Sequence, residues 1–247
     1  GDLEGGIATL ERAVARDPSD IYARDLAARN LAKLAGRASD AGRTAEAVAD
    51  YERALRWHPD HFLSLYNLAI FYFEQGRHAE ARDLTERALA LAPDSPAIHY
   101  RMGLLNYIEG RWPAAERHLT AALAVDPNYP EPLMVLGDLR RSRGQPAEAA
   151  AMYEQAIRLG KKDHESYAAL AQALLDQGRR DESARYVRMA LELAPQDPEA
   201  IYTRARLEAA AGRREQAARD LAQAVAAGGE SYRRRAMDDP DLRPLLN

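Results

Sequence analysis

The chain lacks cysteine, long apolar runs and a strong charge of either sign. Without cysteine, its 247 residues can form neither a disulfide nor a thiolate metal site, which is compatible with the cytoplasm and with the periplasm. No run approaches the roughly 20 apolar residues that cross a bilayer, and no signal peptide opens the chain, so we expect a soluble protein without membrane insertion. The formal charge of −4 gives no general electrostatic basis for binding nucleic acid.

The residue patterns of common catalytic and metal sites are also missing. His58 and His61 flank one corner, and no two histidines stand four apart on one helix, as a zinc-protease-like site requires. No glycine loop is suited to cradle a phosphate, because each periodic glycine is expected to begin a helix at a corner. No nucleophile elbow surrounds a serine. We therefore expect no catalytic residue, no metal and no cofactor, and structural or surface roles for the histidines.

The most informative pattern present is a repeat. Glycine recurs every 34 residues, at Gly42, Gly76, Gly110, Gly144, Gly178 and Gly212. A fixed period of this length indicates one supersecondary unit that cannot bury its apolar face alone. Neighbouring units are therefore expected to stack.

The second half of each unit carries two columns of small residues on a predicted helix. The first column is Ala47, Ala81, Ala115, Ala149, Ser183 and Ala217. The second column is Ala54, Ala88, Ala122, Ala156, Ala190 and Ala224. Between the columns stand the larger Tyr51, Thr85, Leu119, Tyr153, Val187 and Leu221. Proline follows five residues after the second column at Pro59, Pro93, Pro127 and Pro195. Proline disfavours helix in the preceding residue, so we expect each helix to end there.

The first half of each unit predicts a partner helix with an apolar stripe at steps of three and four. The stripes include Leu65, Leu68, Ala69 and Tyr72, then Leu133, Leu136 and Gly137, then Tyr167, Leu170, Ala171 and Leu174. The alanine or glycine in each stripe indicates a close helix crossing.

Together, these residues resemble the tetratricopeptide repeat family over residues 1 to about 230. The resemblance implies an all-α fold, a right-handed superhelical solenoid of antiparallel helix pairs. It also implies a concave groove, lined mainly by the first helix of each pair, that binds peptides or partner proteins. The specificity of the match lies in the number of units.

Four segments are predicted: 1–19, the second helix of a truncated repeat; 20–60, a long repeat; 61–230, five regular repeats; and 231–247, a C-terminal cap. Because Gly1 takes the place of a mid-repeat glycine, we expect a piece of a longer protein. From Gly1 to Gly42 the spacing is 41 residues, a seven-residue insertion, which is almost two helical turns. We favour one helix from about Ile21 to Ala41; the alternative ends it at Gly36 and makes 37–41 a loop.

Charged residues near the C-terminus receive structural interpretations. Arg204 and Glu208 replace a leucine and a tyrosine of the family pattern, and their spacing of four favours a pair on one helical face. Residues 232–237 are expected to form a further helix, followed by a turn and Leu242. Arg233, Arg234 and Arg235 are then expected to serve capping and solubility.

The family geometry places candidate binding residues on the first helices, one or two positions from the apolar stripe. The candidates are Tyr66, Asn67, Ile70, Phe73, Tyr100, Arg101, Leu104, Tyr107, Met134, Asp138 and Arg141, continued by Gln172, Asp176, Tyr202 and Arg206. The first half is aromatic and apolar, and the second half is polar and charged. Exposed aromatic groups on a concave surface favour binding over packing, although close packing is the alternative.

The functional prediction is a noncatalytic scaffold that holds a protein or peptide segment. Asn67 and Arg101 match two positions of the terminal-carboxylate clamp found in chaperone-binding relatives, but Tyr66 and Ala97 stand where lysines would be needed. Two alternatives stay open. One is a substrate-recruiting module of an enzyme whose catalytic part is absent from this chain, and the other is a bacterial envelope assembly factor.

Overall fold

The computed structural model describes residues 3–246, which form fourteen α-helices and one short 3₁₀ helix and contain no strand. Gly1, predicted to mark a mid-repeat corner, lies outside the described residues. The helices divide into two compact units, unit 1 up to Val125 and unit 2 from Asp126. The sequence did not predict this division, because the 34-residue period continues through the boundary.

Unit 1 contains seven helices. Their bounds are α1 Leu3–Arg16, α2 Ile21–Asp40, α3 Thr44–Trp57, α4 Phe62–Glu74, α5 His78–Leu91, α6 Pro96–Ile108 and α7 Trp112–Val125. Helices α2 and α3, α4 and α5, and α6 and α7 pack together as pairs. One apolar core runs through α2 to α6 and includes Tyr51, Leu65 and Ile98.

Unit 2 contains the other seven helices and the 3₁₀ helix. Their bounds are α8 Pro130–Ser142, α9 Pro146–Arg158, α10 His164–Asp176, α11 Arg180–Leu193, α12 Pro198–Ala210, α13 Arg214–Gly228, α14 Glu230–Asp238 and the 3₁₀ helix Arg243–Leu245. The pairs are α8 with α9, α10 with α11, and α12 with α13. As predicted, a further helix and Leu242 cover the last pair, where Ala236 and Leu242 join the core of α12 and α13.

The periodic glycines end the first helix of each pair. Gly42 has a φ of 71°, and the next amide, of Arg43, donates to the carbonyl of Ala38 at 2.8 Å. This left-handed termination favours glycine because a Cβ would be strained there. The expectation that each glycine begins a helix was therefore wrong, since the second helix begins two residues later, at Thr44 in this repeat.

The alanine columns are the contact points of the helix pairs. Every residue of both columns, including Ser183, has no exposed surface. The first helices approach the larger residue between the columns very closely: a Cβ on Gly137 would lie 2.4 Å from Cε1 of Tyr153. The small residues predicted to mark crossings therefore do so.

The seven-residue insertion lengthens α2 without a break. The helix runs from Ile21 to Asp40 with Gly36 inside it, in agreement with the favoured reading. The added turns are held to the end of α3, where Arg24 Nε donates to the carbonyl of Trp57 at 2.8 Å and Asp25 lies 3.0 Å from Nδ1 of His58.

Two charge predictions in unit 2 need correction. Arg204 does not pair with Glu208; it reaches Asp220 on α13, while Glu208 pairs with Arg213. The side chain of Arg204 leaves its own helix because a nearly inaccessible carboxylate on the partner helix competes for it. Arg235 does more than solubilise the chain end, since it forms a half-buried ion pair with Glu199 on α12.

Candidate functional site

The predicted binding residues of unit 1 lie on α4 and α6. All of them are half-buried, which leaves each partly accessible: Tyr66, Asn67, Ile70, Phe73, Tyr100, Arg101, Leu104 and Tyr107. We call this set without Asn67 the aromatic surface. It combines rings and aliphatic side chains with a single cation.

Arg101 is the distinctive residue of the aromatic surface. Its guanidinium carbon lies 5.3 Å from the ring centre of Phe73 on α4 and 6.0 Å from that of Tyr100. Its Nε is buried without a hydrogen-bond partner within residues 3–246. Attraction between a cation and an aromatic face can hold the side chain in place. The arrangement therefore presents a positioned guanidinium whose Nε is enclosed and whose terminal nitrogens are left for a ligand.

The rings around Arg101 are themselves supported by neighbours. The ring centres of Phe73 and His78 lie 5.3 Å apart, and Tyr66 stacks on Phe62 with ring centres 6.3 Å apart. Such contacts reduce the rotamer freedom that a side chain would lose on binding.

The predicted residues of unit 2 have a different environment. Asp138 accepts a hydrogen bond of 2.6 Å from the hydroxyl of Tyr153. Burial raises the pKa of Asp138, and the hydrogen bond from Tyr153 and the charge of Arg141 oppose that rise. Nε of Arg141 is buried without a partner among the described residues, and Met134 packs against the core of α9 and α10.

Other polar residues of unit 2 fix the C-terminal segment. Glu199 accepts two hydrogen bonds from Arg235, of 2.6 and 2.8 Å, and one of 3.0 Å from Tyr232. Burial alone would raise the pKa of Glu199, but the hydrogen bonds from Arg235 and Tyr232 and the charges of Arg235 and Arg141 together hold this pKa below its ordinary value. Arg235 also lies 4.4 Å from the ring centre of Tyr202.

The later candidate residues of the predicted groove are buried or take part in ion pairs within unit 2. Tyr202 and Gln172 are buried, so they are not accessible as binding residues. Arg206 binds Asp176 at 2.8 Å and Asp239 at 3.0 Å. For Tyr202 and Gln172 the packing alternative therefore describes their environment.

A cavity of about 610 Å³ opens between α2, α3 and α4 of unit 1. Arg29, Lys33 and Arg37 line it from α2, and Asn67 lines it from α4. The sequence analysis did not single out these three cations. Their spacing of four residues on a helix was the signal that could have done so.

Five of the six histidines have a hydrogen-bond partner, and Nδ1 of His78 is buried without one within residues 3–246. His99 and His118 face each other with their Nδ1 atoms 3.1 Å apart, and His164 lies 2.9 Å from Asp197. Over residues 3–246, no group of three or more histidine, aspartate or glutamate side chains is arranged to hold a metal ion. In the same range, no helix combines the length and the apolar character that crossing a bilayer demands.

Comparisons with known proteins agree on the fold. The family model described as "Cilia and flagella-associated protein 70 C-terminal domain" matches residues 4–239. A tetratricopeptide repeat protein from Parabacteroides merdae is 21% identical, with a TM-score of 0.66 over 100% of this chain and 93% of that one. A comparison with curated proteins finds no match.

Two further solved structures are similar in fold. PilW, a widely conserved type IV pilus biogenesis factor, has a TM-score of 0.69 at 20% identity, over 89% of this chain and 98% of its own. YrrB, a tetratricopeptide protein with an unusual peptide-binding site, has a TM-score of 0.56 at 16% identity, over 80% and 98% respectively.

The repeat period, the paired helices and the family match lead to one assignment. Tetratricopeptide arrays are in general scaffolds for protein–protein interaction. The chain belongs to the tetratricopeptide repeat family, within the group described as the cilia and flagella-associated protein 70 C-terminal domain.

Proposed function

We propose that unit 1 is a noncatalytic scaffold that binds an extended peptide segment of a partner protein across the aromatic surface. The observation that carries this proposal is the state of Arg101. Its guanidinium has ring neighbours but makes no ion pair or hydrogen bond within residues 3–246. A half-buried cation has lost part of its hydration, so an acceptor that a ligand supplies to the terminal nitrogens of Arg101 would be favoured.

The chemistry of the ligand follows from the neighbours of Arg101. A guanidinium offers five N–H donors in a planar fork, which suits a carboxylate or a backbone carbonyl. Tyr100, Leu104 and Ile70 add half-buried apolar area beside it. An extended peptide can place a carbonyl on Arg101 and its apolar side chains on the rings. Met134, Asp138 and Arg141, which belong to unit 2, stay predictions as binding residues.

The test begins with a partner captured by the chain and proceeds to calorimetry with that purified partner. Tyr100→Ala and Arg101→Ala are each expected to weaken binding by about 2 kcal/mol or more, because aromatic and arginine anchors dominate many interfaces. Arg101→Lys should recover only part of the loss, since it keeps the charge and removes the planar fork.

Two controls separate the aromatic surface from general effects. Arg56→Ala removes an exposed arginine from α3, and Glu86→Ala changes the exposed outer side of α5. Both should leave affinity nearly unchanged. If either weakens binding as much as Arg101→Ala while the circular dichroism spectrum is preserved, the partner does not use the aromatic surface. The enzyme-module and envelope-factor alternatives stay predictions.

A further inference from the structure

We infer that the cavity between α2 and α4 is a second subsite of unit 1, which takes the side-chain carboxylates of an acidic peptide segment. The inference rests on the proposed function, that unit 1 binds a peptide, and adds the charge of that peptide. It is carried by the cations of α2, the space beside them and the position of Asn67.

Three cations form a stripe along one face of α2. Arg29, Lys33 and Arg37 follow one another at intervals of four residues, so their side chains lie on the same side of the helix. Arg29 is engaged with Asp25 at 2.8 Å. Lys33 and Arg37 are exposed, and no ion pair is found for either within residues 3–246. Two cations therefore remain to attract an anion.

The carboxylate that lines the cavity is too little to neutralise this stripe of cations. Asp40 is the one carboxylate among the described lining residues, against the three cations of α2. His61 also lines the cavity, and burial lowers its pKa, so it adds little charge at neutral pH. In a chain with a formal charge of −4, this cavity is a local cationic site. Local potential of one sign steers ligands of the other.

The stripe is peculiar to the lengthened repeat. One period of 34 residues later, the positions of Arg29, Lys33 and Arg37 are occupied on α4 by Leu63, Asn67 and Phe71. None of these carries a charge. Two periods later, on α6, the positions are Ala97, Arg101 and Leu105, so neither α4 nor α6 repeats the row of three cations. That row coincides with the helix that received the insertion.

The cavity has room for side chains of a ligand. Its volume is about 610 Å³, and its lining includes Gly36 and the buried Tyr51. A Cβ on Gly36 would lie 3.9 Å from the hydroxyl oxygen of Tyr51, so glycine leaves space there that a long side chain would fill. Asn67 lines the cavity from α4, the helix that also carries Tyr66 and Ile70 of the aromatic surface. One extended peptide could therefore contact both places.

The experiment uses the full chain and a fluorescein-labelled peptide of five Glu-Ser repeats with an amidated C-terminus. Amidation removes the terminal carboxylate, so binding reports side-chain carboxylates alone. Fluorescence anisotropy should detect binding that weakens with added salt, and no binding of the Gln-Ser peptide. Lys33→Glu/Arg37→Glu should weaken it by about tenfold or more, because like charges then face the ligand. The milder Lys33→Gln/Arg37→Gln should weaken it less.

Two further variants make the result specific. Arg233→Glu/Arg234→Glu changes two exposed arginines of α14 and alters the net charge equally, so affinity should stay within about twofold if the site is local. Gly36→Met fills the cavity without changing its charge and should also weaken binding. Equal loss in the α14 variant, or unchanged affinity after Lys33→Gln/Arg37→Gln, would overturn the inference. Absence of binding by the wild-type chain would do the same.

The inference and the proposed function fail in different ways. If Tyr100→Ala weakens binding of the captured partner but Lys33→Gln/Arg37→Gln does not affect partner or probe peptide, the proposed function stands and the acidic subsite falls. If only the lysine and arginine changes matter, the aromatic surface is not the binding surface.

Discussion

The guanidinium of Arg204 and the carboxylate of Asp220 form two parallel hydrogen bonds of 2.9 Å each, from α12 to α13. Asp220 is 2% exposed, whereas Arg204 is 34% exposed. The two partners therefore differ in what they would face if left alone. An isolated carboxylate would be buried, but an isolated guanidinium could turn towards water.

This asymmetry predicts unequal mutational costs. Arg204→Ala should lower the free energy of unfolding by about 3 kcal/mol, since it leaves a buried charge unpaired, although Gln216 still donates to Asp220 at 3.0 Å. Asp220→Ala should cost clearly less, because Arg204 can be rehydrated. Urea unfolding of the two single variants measures the difference. Equal costs would show that Arg204 is not able to rehydrate.

Glycine substitutions should have opposite signs at two positions. Gly137→Ala places a Cβ 2.4 Å from the ring of Tyr153, which has no exposed surface to move into, and should cost about 1 to 3 kcal/mol. Gly36→Ala meets its nearest atom at 3.9 Å and should stabilise α2 by about 0.5 to 1 kcal/mol. Thermal unfolding distinguishes the two. A stabilised Gly137→Ala variant would place the crossing of α8 and α9 elsewhere.

The alanine columns predict sensitivity to added volume. Ala122 on α7 has no exposed surface, so Ala122→Leu should overpack the crossing and cost about 1 to 3 kcal/mol. Ala124 on the same helix is exposed and provides the matched control, Ala124→Leu, which should be close to neutral. Denaturation midpoints that shift equally in both variants would contradict the assigned orientation of α7.

Stability should decrease when the solution is acidified from pH 7.5 to 5. Burial lowers the pKa of His118, and the neighbouring His99 and Arg117 lower it further. The unfolded chain then binds a proton at this residue more readily than the folded chain does. The contribution of neutral His118 to the free energy of unfolding is therefore fully present above about pH 6.5 and is lost as the pH falls. The free energy of unfolding of His118→Gln should depend less on pH over this range. His78→Gln serves as the comparison, and an equal reduction in that variant would contradict the assignment.

The contact between these imidazoles also fixes their tautomers. Nε2 of His99 lies 2.8 Å from the carbonyl of Pro93, which can only accept, so this nitrogen carries the proton. Nδ1 of neutral His99 must therefore accept a hydrogen bond from Nδ1 of His118.

The sequence predicted those parts of the fold that depend on contacts within one repeat. Ala54 and Ala88 are inaccessible because the same helix crossing recurs in each pair. Since each crossing needs a small residue at the same position, alanine recurs in the sequence. The extension of α2 was also predictable, since seven residues nearly complete two turns and one glycine costs only about 1 kcal/mol.

Contacts chosen between competing partners were not predictable in this way. Glu208 stands four residues from Arg204, yet Arg204 pairs with Asp220. Asp220 lies on the packed side of α13, where no water can replace the guanidinium. The burial of Tyr202 depends on the position of α14, which belongs to no regular repeat. Such outcomes require the relative placement of three helices, and a period of small residues does not contain it.

The uninterrupted α2 has a consequence for how such arrays can diverge. Seven residues advance an α-helix by about 700°, which is about 20° short of two full rotations, and lengthen it by about 10 Å. A block of this size changes the depth of one repeat while its angular phase is nearly conserved. Insertions of five residues would instead rotate everything beyond them by about 140°. Length variation in first helices of this kind should therefore favour blocks that nearly complete whole turns, such as about seven or eleven residues.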